Sequence, residues 1–417
     1  MKRFGEMLCG MVALVFVSAL AIGAETAGEW PQWRGPNRDG ISKETGLLKE
    51  WPAGGPKLVW KATGLGDGYS GLSAVGGKLY TMGDLAGSSQ VICLNVADGK
   101  PVWTAKVGKT GGGGGFPGPR CTPATDGQGV WAMDQFGDLV CVAAATGKEV
   151  WRKSMTADYK GGVGGWGYSE SPLLDGNIVA VTPGGRGGAV VALNKTTGAL
   201  VWRCTQFTDG ADYSSIAIAE IGGVRQYMQL TQQSVVGIEP KSGQMLWRAP
   251  RQGRTAVVTT PVCADGVVFV TSGYGVGHSA FKVTGSGTQF KADLLYSGKE
   301  MANHHGGVIV VGEHLYGHSD AGGWMCIEVK SGNVVWKNNG VGKGSCAYAD
   351  GHLYCRSEGG PGVVALVEAS PAGYKETGRF QQPDRSKKNS WPHPVIADGK
   401  LYLRDQDVLL CYDLEGK

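Results

Sequence analysis

The chain has 417 residues, of which 71 are Gly and 18 Pro, with 42% hydrophobic residues and a formal net charge of +4. Glycine at that frequency excludes a mainly helical protein, because each one inside a helix costs about 1 kcal/mol relative to Ala. The apolar content excludes a disordered chain, and the charge is too small and too evenly spread to argue for nucleic acid as a partner.

Residues 1–24 read as a signal peptide. Lys2 and Arg3 make a positive end, residues 7–22 an apolar run, and residues 21–24 (AIGA) supply small side chains for cleavage. Sixteen apolar residues are short for a bilayer, which needs about 20, so the expectation is a soluble, exported monomer, periplasmic or extracellular. Cys9 follows Glu6, Met7 and Leu8, a poor context for lipid attachment. Nine cysteines remain after cleavage, none with C-x-x-C or metal-ligand spacing, so zinc and iron–sulfur sites are not expected. Residues 25–57 form a turn-rich lead-in with Trp30, Trp33 and several Gly and Pro, expected to lie across the outside of the body.

From residue 58 onward the chain repeats one unit. Residues 139–154 (LVCVAAATGKEVWRKS) read as a strand, a tight Thr-Gly turn, a second strand and a Trp four residues past the glycine. The same pattern recurs around Gly99, Gly198, Gly243 and Gly332, with worn copies at Gly287, Gly373 and Gly416, so neighbouring copies lie 41 to 51 residues apart. A second recurring pair of strands lies between these units, as in residues 171–182 (SPLLDGNIVAVT) and 393–404 (HPVIADGKLYLR). Each reads as a hairpin. Two strands from each pattern make four per repeat, and four-stranded sheets at this period are propeller blades. Residues 58–61 carry the Trp-bearing half of a repeat without its preceding strand, and residues 408–414 supply that strand at the other end. The prediction is therefore an all-β, eight-bladed propeller over residues 58–417, closed by pairing of its N- and C-terminal strands.

The Trp after the turn recurs as Trp60, Trp103, Trp151, Trp202, Trp247 and Trp336. It is expected to pack between blades with its N–H on a carbonyl. Cys93, Cys141, Cys326 and Cys411 share one repeat position, held by Ala192 and Gly237 in other copies, and are expected to be small buried side chains.

The pattern V-x-A-L-N/D-x-x-T-G-x-x-x-W, seen at residues 190–202 and 139–151, resembles the pyrroloquinoline-quinone (PQQ) repeat. That family forms eight-bladed propellers, and it includes quinoprotein alcohol dehydrogenases and the noncatalytic outer-membrane assembly factor BamB. The dehydrogenases hold PQQ with a disulfide between adjacent cysteines and a Ca²⁺ ion beside an Asp base. This chain has no Cys-Cys dipeptide, so those residues do not carry over.

Strand order places the two-residue turns on one face and the long loops on the other, among them residues 108–120, 155–170, 272–278 and 318–323. Function gathers in such loops on a rigid scaffold. The residues just ahead of each innermost strand then ring the axis: Tyr69, Ser70, Arg120, Tyr168, Glu170, Tyr213, Ser214, Thr259, His304, His305, Lys343 and His393. The ligand-binding mouth is assigned to Tyr69, Arg120, Tyr168, Glu170, Tyr213, His305, Lys343 and His393, with the cations and histidines favouring an anion. Glu170, the only acid in this ring, is the weak catalytic candidate. Of the adjacent His304 and His305, one is expected to line the channel and the other to pack, because neighbours on a strand point to opposite faces; no metal site is assigned. The pentaglycine 111–115 lacks the G-x-x-x-x-G-K-[ST] spacing of a phosphate loop and reads as an inter-blade loop.

These features suit an exported, noncatalytic scaffold binding a protein, an envelope glycan or a small anion at the loop-bearing face. The alternatives are a periplasmic PQQ- and Ca²⁺-dependent dehydrogenase oxidising an alcohol or sugar, and an outer-membrane assembly factor similar to BamB.

Overall fold

The computed structural model describes residues 28–416, so the signal-peptide segment lies outside the described residues. Eight antiparallel sheets succeed one another along the chain. The first blade comprises Ser73–Val75, Lys78–Leu85, Ser88–Asn95 and Pro101–Gly108, and blades 2 to 7 repeat that order from the innermost strand outward. The eighth is composite. Leu58–Ala62 is its outermost strand and pairs with Val408–Asp413, with Trp60 opposite Cys411 and Lys61 opposite Leu410. The ring is thus closed by the strand pairing that the sequence requires, which removes free sheet edges. Among the described residues no helix is long and apolar enough to cross a membrane.

The repeat's Trp and its Thr-Gly turn explain one another. Nε1 of Trp60, Trp103, Trp151, Trp202 and Trp336 donates to Val96, Ala144, Lys195, Pro240 and Ser370 respectively, each a carbonyl in the next blade, at 2.8–2.9 Å. The indole lies flat against the turn glycine there. A Cβ on Gly99, Gly147 or Gly198 would stand 2.6–2.8 Å from the ring of the preceding blade's Trp, and each glycine has φ near +68°. Only glycine satisfies both conditions at low cost. Cys93, Cys141, Cys326 and Cys411 pair in register with the Trp of their own blade, so the small buried thiol leaves room for the indole.

Blade 5 departs from the pattern. Its outer strands, Gly277–Ser286 and Gln289–Gly298, run ten residues each, which carries their connecting turn past the usual position. Trp247 of blade 4 consequently bonds Gln226 Oε1 within its own sheet, at 2.6 Å. Tyr296 takes the missing Trp's place toward blade 6, packing on Gly332 and donating to the Val329 carbonyl.

Residues 28–42 of the lead-in do not lie outside the body but fill the axis, whereas the remainder runs outward past blades 7 and 8, with Leu48 N on the Leu414 carbonyl and Trp51 N on the Thr377 carbonyl. Trp30 exchanges two 2.8 Å backbone hydrogen bonds with Ala74 of blade 1, and the Pro31 carbonyl accepts from Thr125 N of blade 2. Gln32 Oε1 accepts from Leu174 N of blade 3. Arg38 donates to the Ser171 and Pro172 carbonyls ahead of blade 3 and to the Ile216 carbonyl ahead of blade 4. Trp33 Nε1 reaches Thr260 Oγ1 before blade 5, and Arg34 Nη2 reaches the Val308 carbonyl in blade 6. Ile41–Ser42 adds a short parallel strand inside blade 7, and Asp398 N of blade 8 donates to the Gly28 carbonyl. One segment therefore touches every blade. Innermost strands converge on the axis with backbone groups that need partners, and the polar, turn-forming stretch from Gln32 to Gly40 supplies them. Arg34 and Arg38 sit at φ +60°, a left-handed conformation that costs a non-glycine residue roughly 1–2 kcal/mol and is held here by their carbonyl bonds.

Candidate functional site

Above this plug, on the loop-bearing face, lies a cavity of about 300 Å³. Trp33 of the plug forms its floor, and the links between blades form its walls. The walls are mostly aromatic. Trp391 stacks at a tilt on Tyr69, centroids 4.4 Å apart, and Phe116 closes on Trp391 at 5.0 Å. His305 continues the belt 6.0 Å from Trp391, followed by His304 and then Tyr274, whose hydroxyl is 3.0 Å from His304 Nε2. Trp166 and Tyr213 face this belt from the other side, edge to face at 5.9 Å.

Charge enters at three points. Arg120 lies 5.6 Å over the Tyr69 ring and is anchored by the Phe116 carbonyl at 2.6 Å. Lys343 pairs with Asp320 at 3.1 Å, both partly exposed, which is worth little energetically and leaves the ammonium free to exchange partners. Glu358 takes the third position, its Oε2 3.1 Å from Trp391 Nε1 and 3.3 Å from His305 Nε2. Burial raises the Glu358 pKa, opposed by Lys343. Burial lowers His304 to about 4 and His305 well below the usual histidine range, with Lys343 acting in the same direction. At neutral pH both imidazoles are uncharged, and the lining carries two cations against one carboxylate.

Five of the eight assigned mouth residues meet here: Tyr69, Arg120, Tyr213, His305 and Lys343. Tyr168, Glu170 and His393 do not. In blade 3 it is Ser169 and Ser171 that face the cavity, so Tyr168 and Glu170, one residue out of step, turn into the body. Tyr168 donates to the Pro183 carbonyl. Glu170 is 1% exposed and accepts from Thr182 N, Thr182 Oγ1 and Gln229 Nε2; burial raises its pKa to about 7, with Arg38 opposing. It reaches no ligand in the mouth. His393 lies deeper, against Trp33 at 4.6 Å, with Nε2 donating to the His305 carbonyl. Of the other ring residues, Ser70, Ser214 and Thr259 are buried and bond backbone carbonyls. His304 and His305 both line the cavity, contrary to the alternation argument, because they sit in an irregular link before the strand Val308–Val311.

Glu358, and not Glu170, is the acid of the mouth. It follows the second strand of blade 7, a position the repeat does not mark. Phe116, Trp166 and Tyr274 come from three of the long loops, so loop length was the signal available for them. Trp391 and Asn389 belong to the link into blade 8, and Trp33 belongs to the plug.

A closed eight-bladed disc built on this repeat, with an aromatic cavity at the axis, defines a propeller of the PQQ-repeat class. The family model described as outer membrane protein assembly factor BamB matches residues 87–338, more than half of the chain, and the chain belongs to that family. No curated protein matches it. Among solved structures, BamB from Moraxella catarrhalis is similar with a TM-score of 0.61 and 14% identity, covering 86% of this chain and 100% of that one. The quinohemoprotein alcohol dehydrogenase from Comamonas testosteroni is similar with a TM-score of 0.66 and 12% identity, covering 95% of this chain and 82% of that one. A europium-containing methanol dehydrogenase follows at 0.53 and 12%, covering 91% and 89%. Identities this low establish the fold alone.

The cavity fits one half of a quinone-and-metal pair. Its aromatic walls and two cations suit a flat polycarboxylate such as PQQ. Its donor set does not suit the metal: Glu358 is the only carboxylate in the lining, and among the described residues no group of three His, Cys, Asp or Glu side chains could hold an ion. The described cysteines are all unpaired.

Proposed function

We propose that the chain is a noncatalytic binding propeller of the bacterial envelope, and that its ligand is a compact ring bearing a carboxylate, such as a uronic-acid unit of an envelope glycan. The observation that carries this reading is the belt of Tyr69, Phe116, Trp391, Trp166, Tyr213 and Tyr274 around one small cavity with Arg120 and Lys343 at its edge. Aromatic faces take up the ring, and the guanidinium and ammonium take the carboxylate. Glu358 accepts from Trp391 Nε1 and lies 3.3 Å from the uncharged His305, and in this reading it has no proton-transfer role. Export is the complement of this reading, and the description of the family model as an outer membrane protein assembly factor supports it.

Thermal shift and calorimetry with glucuronate, benzoate and PQQ, each with and without Ca²⁺, test the proposal. Binding of a ring carboxylate independent of Ca²⁺ is expected, weakened at least tenfold in Trp391→Ala. PQQ- and Ca²⁺-dependent dye reduction with an alcohol or sugar would overturn the noncatalytic reading. A second reading, a protein-assembly role, rests on the family match; it predicts co-purification with outer-membrane barrel machinery that survives Trp391→Ala.

A further inference from the structure

A second cleft, of about 610 Å³, opens at the rim of the same face along the seam between blades 4 and 5. It is separate from the axial cavity: the turn at residues 273–276 divides them, with Tyr274 on the axial side and Val276 on the rim side. Its base holds Arg251, which directly follows the outermost strand of blade 4, Met245–Pro250, and is only 8% exposed. Nη2 donates to Ser272 Oγ and more weakly to the Gly277 carbonyl, while Nη1 has no acceptor. Among the described residues no carboxylate lies within ion-pair distance of this guanidinium. Burial lowers the Arg251 pKa to about 10, with no charged neighbour acting on it, so the side chain stays cationic at neutral pH.

A buried charge without a countercharge is costly, and proteins pair such groups or bind an ion to them. The other four buried arginines of the blades and plug, Arg34, Arg38, Arg356 and Arg404, each place donors on two or more backbone carbonyls at hydrogen-bond distance, although Arg34 and Arg356 also keep nitrogens without an acceptor. Arg251 reaches only one carbonyl, that of Gly277. Around it the lining itself adds more donors, and the nearest acid, Glu300, stands behind Gly298 against His278, not on Arg251. Lys299 stands at the rim, with Nζ on the Gly275 and Val276 carbonyls. His278 Nδ1 accepts from Met301 N, which leaves the ring proton on Nε2. Outward from this polar end the wall is apolar: Phe281, Ala292 and Leu294, the last 60% exposed.

We propose that this cleft binds a carboxylate carried on a short aliphatic chain. The planar fork of Arg251 matches a carboxylate head, and Phe281, Ala292 and Leu294 cover the tail. The site is independent of the axial cavity and of the function proposed for it.

Octanoate is the probe, titrated into the full chain by calorimetry and by amide shifts of residues in the strand Gln289–Gly298. Saturable binding is expected, at least tenfold tighter than acetate and absent for octanol and octylammonium. Arg251→Gln, which removes an unpaired buried charge and so should fold, is expected to weaken octanoate at least tenfold. Leu294→Asp, at an exposed position that cannot disturb the core, should weaken it comparably, whereas Trp391→Ala should leave it unchanged. No saturable octanoate binding, equal binding in Leu294→Asp, or inorganic phosphate binding more tightly than octanoate would each overturn the proposal.

Discussion

At the scale of single residues the molecule is organised by buried charge and its partners. Arg38 illustrates the energetics: 1% exposed, it satisfies three backbone carbonyls from two blades and has no direct carboxylate partner. Arg38→Met removes a costly buried charge but strands those carbonyls, each worth about 1–3 kcal/mol when left unpaired. A net loss of roughly 3–5 kcal/mol is expected, read from the urea midpoint at constant m-value. His393 sets a pH dependence. Burial, with Arg34 as the next cause, lowers it to about 3, whereas unfolded it titrates near 6.5. Between those values the unfolded chain holds a proton that the folded site refuses, so stability falls as pH drops from about 6.5 toward 3. His304 and His318, each lowered to about 4, act in the same sense over the upper part of that window. Glu170, raised to about 7, acts oppositely between its unfolded value and 7. His393→Gln should reduce the proton uptake on acid unfolding by about one, measured as the slope of unfolding free energy between pH 6 and pH 4.

At the scale of the blade, the Trp and turn glycine are one device. Gly198→Ala meets Trp151 Cδ2 at 2.8 Å and requires φ +68° of an alanine, two penalties that together should cost about 2–4 kcal/mol. Trp151→Ala leaves a cavity at the same seam and should cost about 3–5 kcal/mol. A double mutant less destabilised than the sum would show that both act on one contact. This level was the most legible in the sequence, since a fixed period, a fixed turn and a fixed aromatic are all carried by neighbouring residues. The exceptions are equally local in cause. Tyr296 replaces a Trp because blade 5 has a hairpin of two ten-residue strands, and nothing at residue 296 announces the exchange. The mouth was half legible. Residues ahead of the inner strands reach the axis, but which of two neighbours faces the cavity depends on parity, and a one-residue slip exchanged Ser169 and Ser171 for Tyr168 and Glu170. Glu358 and Trp391 converge from sequence-distant links, and such convergence has no one-dimensional signature.

At the scale of the whole molecule, the strand pairing that closes the ring was readable from two half-repeats, whereas the position of the lead-in was not. A segment with Trp, Arg, Gly and Pro has no amphipathic period, and its partners are backbone carbonyls that exist as a ring only in the finished fold. Deleting residues 28–42 should lower the melting temperature and separate the calorimetric from the van't Hoff enthalpy, as blades lose their common contact and unfold in more than one step. Leu58–Ala62 stays in place in that variant, so closure of the ring and filling of the axis are tested separately. The plug also sets an order of events. Its anchor points on the Ile216 and Val308 carbonyls and on Tyr348 N, which donates to the Gly40 carbonyl, are brought together only after blades 4, 6 and 7 have formed, although the plug itself is synthesised before any of them. Docking of Trp33 beneath the mouth therefore comes late, and a half-built disc has a cavity without a floor. Under the proposed function, competence to bind arrives together with completion of the fold, so the molecule cannot present its mouth before it is whole.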